Sequence, residues 1–230
     1  MRQFIAESAW FGVTVSLLGY EAGLLLKRKL KSPLANPLLI SIALVMLALV
    51  ALRVDYRSYY AGAKVLSWLL TPATVCLAVP LYEKLSLLKR NLKAVAAGIT
   101  SGVLASLLSV FLLSKLFGLT HAQYVTLLPK SSTTASGIGV SEELGGATAI
   151  TAAAIIITGI LGNVAAKGIF RLFRIRHPVA RGLALGTASH AIGTSRAMEL
   201  GETEGAMSSL AIAVAGLMTV VLASFFAQLM

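Results

Sequence analysis

Two polar stretches carry most of the side chains that could do chemistry within the apolar part of this chain. One, "LPKSSTTASG" at 128–137, sets Lys130 beside the hydroxyls of Ser131, Ser132, Thr133 and Thr134. The other, "GTASHAIGTSRAMELGETEG" at 186–205, spaces Thr187, Ser189, His190, Thr194, Ser195 and Arg196 around Gly186 and Gly193, and ends in Glu199, Glu202 and Glu204. Cations among hydroxyls suit a carboxylate or a hydroxy acid. The candidate anion site is therefore Lys130, Ser131, Thr133, Thr134, Thr187, Ser189, His190, Gly193, Thr194, Ser195 and Arg196, with His190 and Glu199 as candidates for proton coupling.

Each residue also has a plainer reading. Lys130 could sit at a loop mouth and snorkel to the interface. Arg196 could pair with Glu199 or Glu83, and His190 could make one interior hydrogen bond. The hydroxyls could join helices, and Gly182 with Gly186 could form a small-residue packing face. Catalytic signatures are thin: no H-E-x-x-H, P-loop, G-x-S-x-G or Cys/His ligand spacing occurs, so no enzyme, metal or cofactor is expected. "TASG" at 134–137 with His190 approaches an intramembrane Ser/His protease pattern, but its leading Gly is missing.

The elements that must position these groups are membrane helices. The 230 residues are 57% hydrophobic and 13% charged, with a mean hydropathy of +0.84. Those values fit an integral membrane protein and leave no room for a sizeable soluble domain. The net charge of +11 comes largely from three basic clusters, Lys27–Lys31, Lys84–Lys93 and Lys167–Arg181, each flanking an apolar run. They read as cytoplasmic loops facing anionic lipid, rather than as a nucleic-acid surface. The single Cys76 excludes an intrachain disulfide. "MRQFIAESAW" has Glu7 where a signal peptide would be apolar, and the chain is read as mature from its first residue.

Seven apolar runs, at 9–26, 36–52, 65–82, 92–117, 148–170, 182–198 and 207–230, predict an all-α polytopic protein of about seven transmembrane helices. Parity of the basic clusters then makes 118–147 a re-entrant loop, entering and leaving on one side, as polar backbone at depth must when it is shielded. The same parity puts the N-terminus outside, Glu202 and Glu204 outside and the C-terminus in the cytoplasm. It leaves Arg53, Arg57 and Lys64 outside, against the rule.

The expected organisation is one domain, 1–230, with a first half at 36–117, the loop at 118–147 and a second half at 148–230. The halves form an inverted repeat whose middle helices are both broken. Pro72 and Pro80 break one, and Gly182, Gly186 and Gly193 weaken the other. Paired broken helices of this kind mark a transporter's midplane site. Pro80 would line its opposite wall, while Asn36, Pro37, Pro72 and Glu83 are read as structural.

The motifs "NPLL" (36–39), "PLYE" (80–83), "LPKSSTT" (128–134), "ARGLALGTASHAIGTSRA" (180–197) and "EGAMSSLA" (204–211) resemble those of the LrgB/CidB family of bacterial membrane proteins. The likeness runs from about residue 36 to the end and is similar to the C-terminal half of the plastidial glycolate/glycerate translocator. It implies a multi-pass protein of the bacterial plasma membrane working with a small LrgA/CidA-type partner. Two functions follow from it. One is transport of small monocarboxylates such as pyruvate, glycolate or glycerate. The other is antiholin/holin-like regulation of murein hydrolase activity and lysis. A homo-oligomer is a further expectation. One departure stands out: Ala135 follows Thr134 where such proteins usually have Pro, which implies a loop free to take more helix.

Overall fold

The computed structural model describes residues 10–30, 37–69, 72, 75, 76 and 78–230, and every described element is helical. The chain divides into two compact units, Met1–Cys76 and Leu77–Met230. This cut differs from the expected halves, and residues 1–9 and Asn36 lie outside the described residues.

The first unit contains α1 (Phe11–Leu30), α2 (Pro37–Leu52) and α3 (Tyr56–Trp68). Pro37 opens α2, where its missing N–H costs no intrahelical bond. Gly12, Gly19 and Gly23 share one face of α1. A Cβ at Gly12 would strike the Tyr59 carbonyl, and one at Gly23 the Pro37 carbonyl, so the glycines let α1 approach both neighbours closely. Ser16 shares a 2.8 Å hydrogen bond with the Tyr59 hydroxyl. Asp55 caps α3 by accepting from the Arg57 amide. The run expected at 65–82 is not one described helix: α3 stops at Trp68, and Pro72 is flanked by residues outside the description.

The second unit begins with two short helices, α4 (Ala78–Glu83), which holds Pro80 and Glu83, and α5 (Leu85–Arg90). Then come α6 (Leu92–Leu116), α7 (His121–Leu127), α8 (Thr134–Glu143), α9 (Thr148–Leu172), α10 (Pro178–Leu200) and α11 (Glu202–Ala227). Three of these, α6, α9 and α11, are long and apolar enough to cross a membrane. At 1.5 Å per residue each is roughly 38 Å long, against about 30 Å of hydrocarbon. Val95, Ile99, Val103, Leu107 and Val110 form a stripe on α6 that joins the core with Ala211, Ala215 and Ala223 of α11. Small residues on α11 allow that close packing.

Helical hairpins alternate with the long helices. The first is α7–α8. Thr120 starts α7 with a reciprocal capping box to Gln123, and Thr133 caps α8 by accepting from the Ser136 amide. His121 bonds the Met230 carbonyl at 2.8 Å, and the Tyr124 hydroxyl donates to the Phe226 carbonyl, so the open end of this hairpin lies beside the end of α11. Its tip, Pro129–Thr133, reaches Ser106, near the middle of α6. Ala135 is the second residue of α8. A Pro would be tolerated in that first turn, so the exchange to Ala removes no intrahelical bond.

The second hairpin corrects the expected crossing at 182–198. α10 is not continuous: His190 has φ 42° and ψ −135°, and the chain folds back there, leaving limbs at 178–189 and 191–200. The reversal is tight enough that a Cβ on Gly193 would meet the Leu185 carbonyl and the Ser189 side chain. Limbs of about 18 and 15 Å are too short to cross a bilayer. The tip lies near the middle of α9, where the His190 Nε2 bonds the Ile155 carbonyl at 2.9 Å and Asn163 donates to Ile192.

The reversal brings the start of α11 back to the end of the unit where α10 begins. Glu202 pairs with Lys84 at 3.0 Å and Glu204 approaches Arg181 at 4.0 Å, so both acids share the end of the unit that carries the basic residues. The C-terminal Met230, at the other end of α11, lies away from those basic residues rather than beside them.

Candidate functional site

The two hairpins enter the second unit from opposite ends, and a cleft of about 1210 Å³ lies between the elements that carry them. α6 and α9 form its sides, the limb at 178–189 forms its back, and the first hairpin tip closes its deep end. Asn91, Ile169 and His177 line the mouth, at the end of the unit where the basic residues gather.

Small residues create the space. Gly98, Gly102 and Ser106 recur every four residues on α6 and so share one face. A Cβ on Gly102 would press on Thr187, and one on Gly162 would overlap the Ser189 hydroxyl. The walls are mostly Ala, Gly, Leu and Ile, with polar atoms concentrated towards the deep end.

At that deep end Lys130 donates to Ser131 at 3.1 Å and to Ser106 at 3.4 Å, and Ser106 donates to Ser131 at 2.9 Å. Among the described residues no carboxylate pairs with Lys130. The Thr187 hydroxyl is buried in the same cleft with no hydrogen-bond partner. Leaving such a hydroxyl unpaired costs roughly 1–3 kcal/mol, which a ligand or water in the cleft would offset.

Of the residues singled out in the sequence, Lys130, Ser131, Thr187 and Ser189 line the cleft. The others have separate places. Thr133 caps α8 and Thr134 is its first residue. Gly193 packs on Leu185, and Thr194 bonds the Ser208 hydroxyl at 2.7 Å and the His190 carbonyl. Ser195 is exposed, and Arg196 pairs with Glu199 on the second limb, the plainer of its two readings. His190 anchors the second tip on α9, and Ser136 of the protease-like "TASG" bonds the Thr133 and Ser132 hydroxyls. Pro80 and Glu83 belong to α4, and Pro72 to the first unit.

Sequence reasoning missed the contributions of α6 and α9: Ser101, Gly102, Ser106 and Ser109 on one, Thr158 and Gly162 on the other. These lie within apolar runs and carry no charge. Their signal is the period: Gly98–Gly102–Ser106 and Ser101–Ala105–Ser109 mark two adjacent faces of α6 as small and partly polar.

Comparison with known proteins places this architecture. The sequence profile of the LrgB-like family matches residues 16–229. "Antiholin-like protein LrgB" of Bacillus cereus (strain B4264) is 37% identical over 218 residues, covering 94% of this chain and 95% of that protein. The protein of the same name from Bacillus anthracis (strain CDC 684 / NRRL 3495) is similar to the same extent. No solved structure matches the chain. A likeness spread over nearly the whole sequence, on a helical chain with three apolar helices long enough to cross a bilayer, makes this a membrane protein that belongs to the LrgB-like family.

Proposed function

We propose that this chain is an antiholin-like membrane protein, one that restrains holin-type membrane damage and, through it, murein hydrolase activity and lysis, together with a small LrgA/CidA-type partner. The observation that carries this reading is the extent of the likeness: relatives bearing that name match 94% of the chain, hairpins and long helices included. The test is co-expression in bacteria with a small holin-type protein, following optical density and murein hydrolase activity. Delayed lysis and lowered hydrolase activity are expected, and an unchanged lysis curve at verified membrane expression overturns the reading.

The cleft favours a second reading, carriage of a small monocarboxylate such as pyruvate, glycolate or glycerate. In it, both hairpins are re-entrant and their tips lie near mid-bilayer. The second limb of each hairpin starts at its tip, so two helix N-termini, and the positive ends of their dipoles, face the interior from opposite sides. Lys130 supplies the formal charge and Thr187 an unused hydroxyl. By the positive-inside rule the end bearing Lys84, Arg171, Arg174 and Arg181 is cytoplasmic, which makes the cleft inward-facing and puts Met230 on the outer side. Counterflow of labelled glycolate and pyruvate in proteoliposomes, with and without the small partner, tests it. Saturable exchange lost in Lys130→Gln supports carriage, and the absence of exchange for both acids overturns it.

A further inference from the structure

A three-carbon acid would occupy only the deep end of this cleft. The cleft as a whole, about 1210 Å³, exceeds the roughly 300–1,000 Å³ typical of sites for drug-sized ligands. Its character changes along its length. The deep end has one ammonium, the Ser106 and Ser131 hydroxyls, and the unpartnered Thr187 hydroxyl one helical turn away. From there to the mouth the walls are mainly apolar, with Ala94, Leu161, Ala165, Ile169, Leu183 and Ala184, interrupted by Ser101 and ending at Asn91 and His177. Ser106 to Asn91 spans about 22 Å of α6 at 1.5 Å per residue.

We infer that the cleft binds a monoanion with an apolar tail, a medium-chain monocarboxylic acid whose carboxylate meets Lys130 and Thr187 and whose chain lies along the apolar walls. This rests on the cleft as an anion site, the second reading above, and is independent of the antiholin role. Three observations carry it together. A single cation at the deep end, with no paired carboxylate among the described residues, matches one negative charge. Thr187, only 6% exposed, lines the cleft and carries a buried hydroxyl without a partner, which a carboxylate oxygen would satisfy once the side chain turns towards it. Between the deep end and the mouth the largely apolar walls offer few partners to a second charge or a polyhydroxylated tail, and burying either there is costly. Each methylene moved from water to such a wall tightens binding by roughly fourfold.

The test uses the full chain in lipid nanodiscs, with protein-free nanodiscs as the baseline for partition into lipid. Radiolabelled octanoate is displaced by acetate, propionate, butyrate, hexanoate and decanoate. Inhibition is expected to strengthen several-fold per methylene before levelling off. It should weaken for every acid in Lys130→Gln and in the near-isosteric Thr187→Val, whose thermal unfolding reports retained fold. In Ala184→Phe, which fills the wall, the longer acids should lose affinity while the short ones keep theirs. Equal inhibition by propionate and decanoate overturns the inference yet leaves the carrier reading standing. Loss of binding for every acid overturns both. A chain-length series that persists unchanged in Lys130→Gln and Ala184→Phe means partition into lipid and overturns it. Co-purified phospholipid that octanoate does not displace assigns the cleft to a lipid chain and overturns it too.

Discussion

His190 shows how one residue turns a sequence expectation into a different structure. Its left-handed backbone, at φ 42°, is uncommon for a side chain of this size and carries a strain on the order of 1–3 kcal/mol. The bond from its ring to the Ile155 carbonyl, the bond Thr194 makes to its own carbonyl and the close fit of Gly193 hold the conformation. His190→Ala should lose the ring bond and keep the strain, whereas His190→Gly loses the bond and relaxes the backbone. Thermal unfolding in detergent is therefore expected to rank wild type above His190→Gly and His190→Gly above His190→Ala, by about 1 kcal/mol for the last step. Thr187 has the opposite signature. Thr187→Val removes an unpaired buried hydroxyl, so the ligand-free protein is expected to unfold at a higher temperature while acid binding weakens. A drop in both quantities would show that the hydroxyl is already satisfied in the free protein.

At the scale of elements, two of the three glycines that suggested a weakened helix act elsewhere. Gly182 and Gly186 let the first limb of α10 lie against α11, where a Cβ would meet the carbonyls of Glu204 and Ser208. Bulk there should separate limb from helix, so Gly186→Leu is expected to lower the yield of folded protein on size-exclusion chromatography, while Gly168→Leu, with open space beside it, leaves the yield unchanged. The break itself was legible as a region, since hydroxyls, glycines and charges crowd 186–196. Its form was not, because a one-residue reversal leaves the same local pattern as a kinked crossing. The first hairpin was legible as a polar interruption: its polarity across 118–147 sets it apart from an ordinary lipid-facing span, and the structure folds it into α7 and α8. The sides of the cleft were hidden because α6 and α9 look like uniform apolar spans; only the period of Gly and Ser distinguishes the face that turns inward.

For the second unit as a whole, the reversal in α10 decides which end of the unit Glu202 and Glu204 occupy. Counting 182–198 as a crossing put Glu202 and Glu204 away from the basic residues, yet Lys84 and Arg181 hold them at the same end. Single cysteines in a Cys76→Ser background test the arrangement in oriented vesicles. A cysteine at Arg174 and one at Glu202 should react with an impermeant maleimide from the same side, and a cysteine at Leu229 only from the other. Labelling of the Arg174 and Leu229 positions from one side, with Glu202 reacting only from the other, would restore the crossing and dissolve the hairpin.

The alternation of long helix and hairpin also bears on how the protein is made. A translocon releases segments into lipid by their apolarity, and α6, α9 and α11 qualify unaided, whereas limbs of α10 flanking His190 and the Lys130 tip do not. On the carrier reading, in which both hairpins are re-entrant, they would be tucked between cylinders already inserted, a late step in biogenesis whose rate would depend on the thickness and fluidity of the surrounding bilayer.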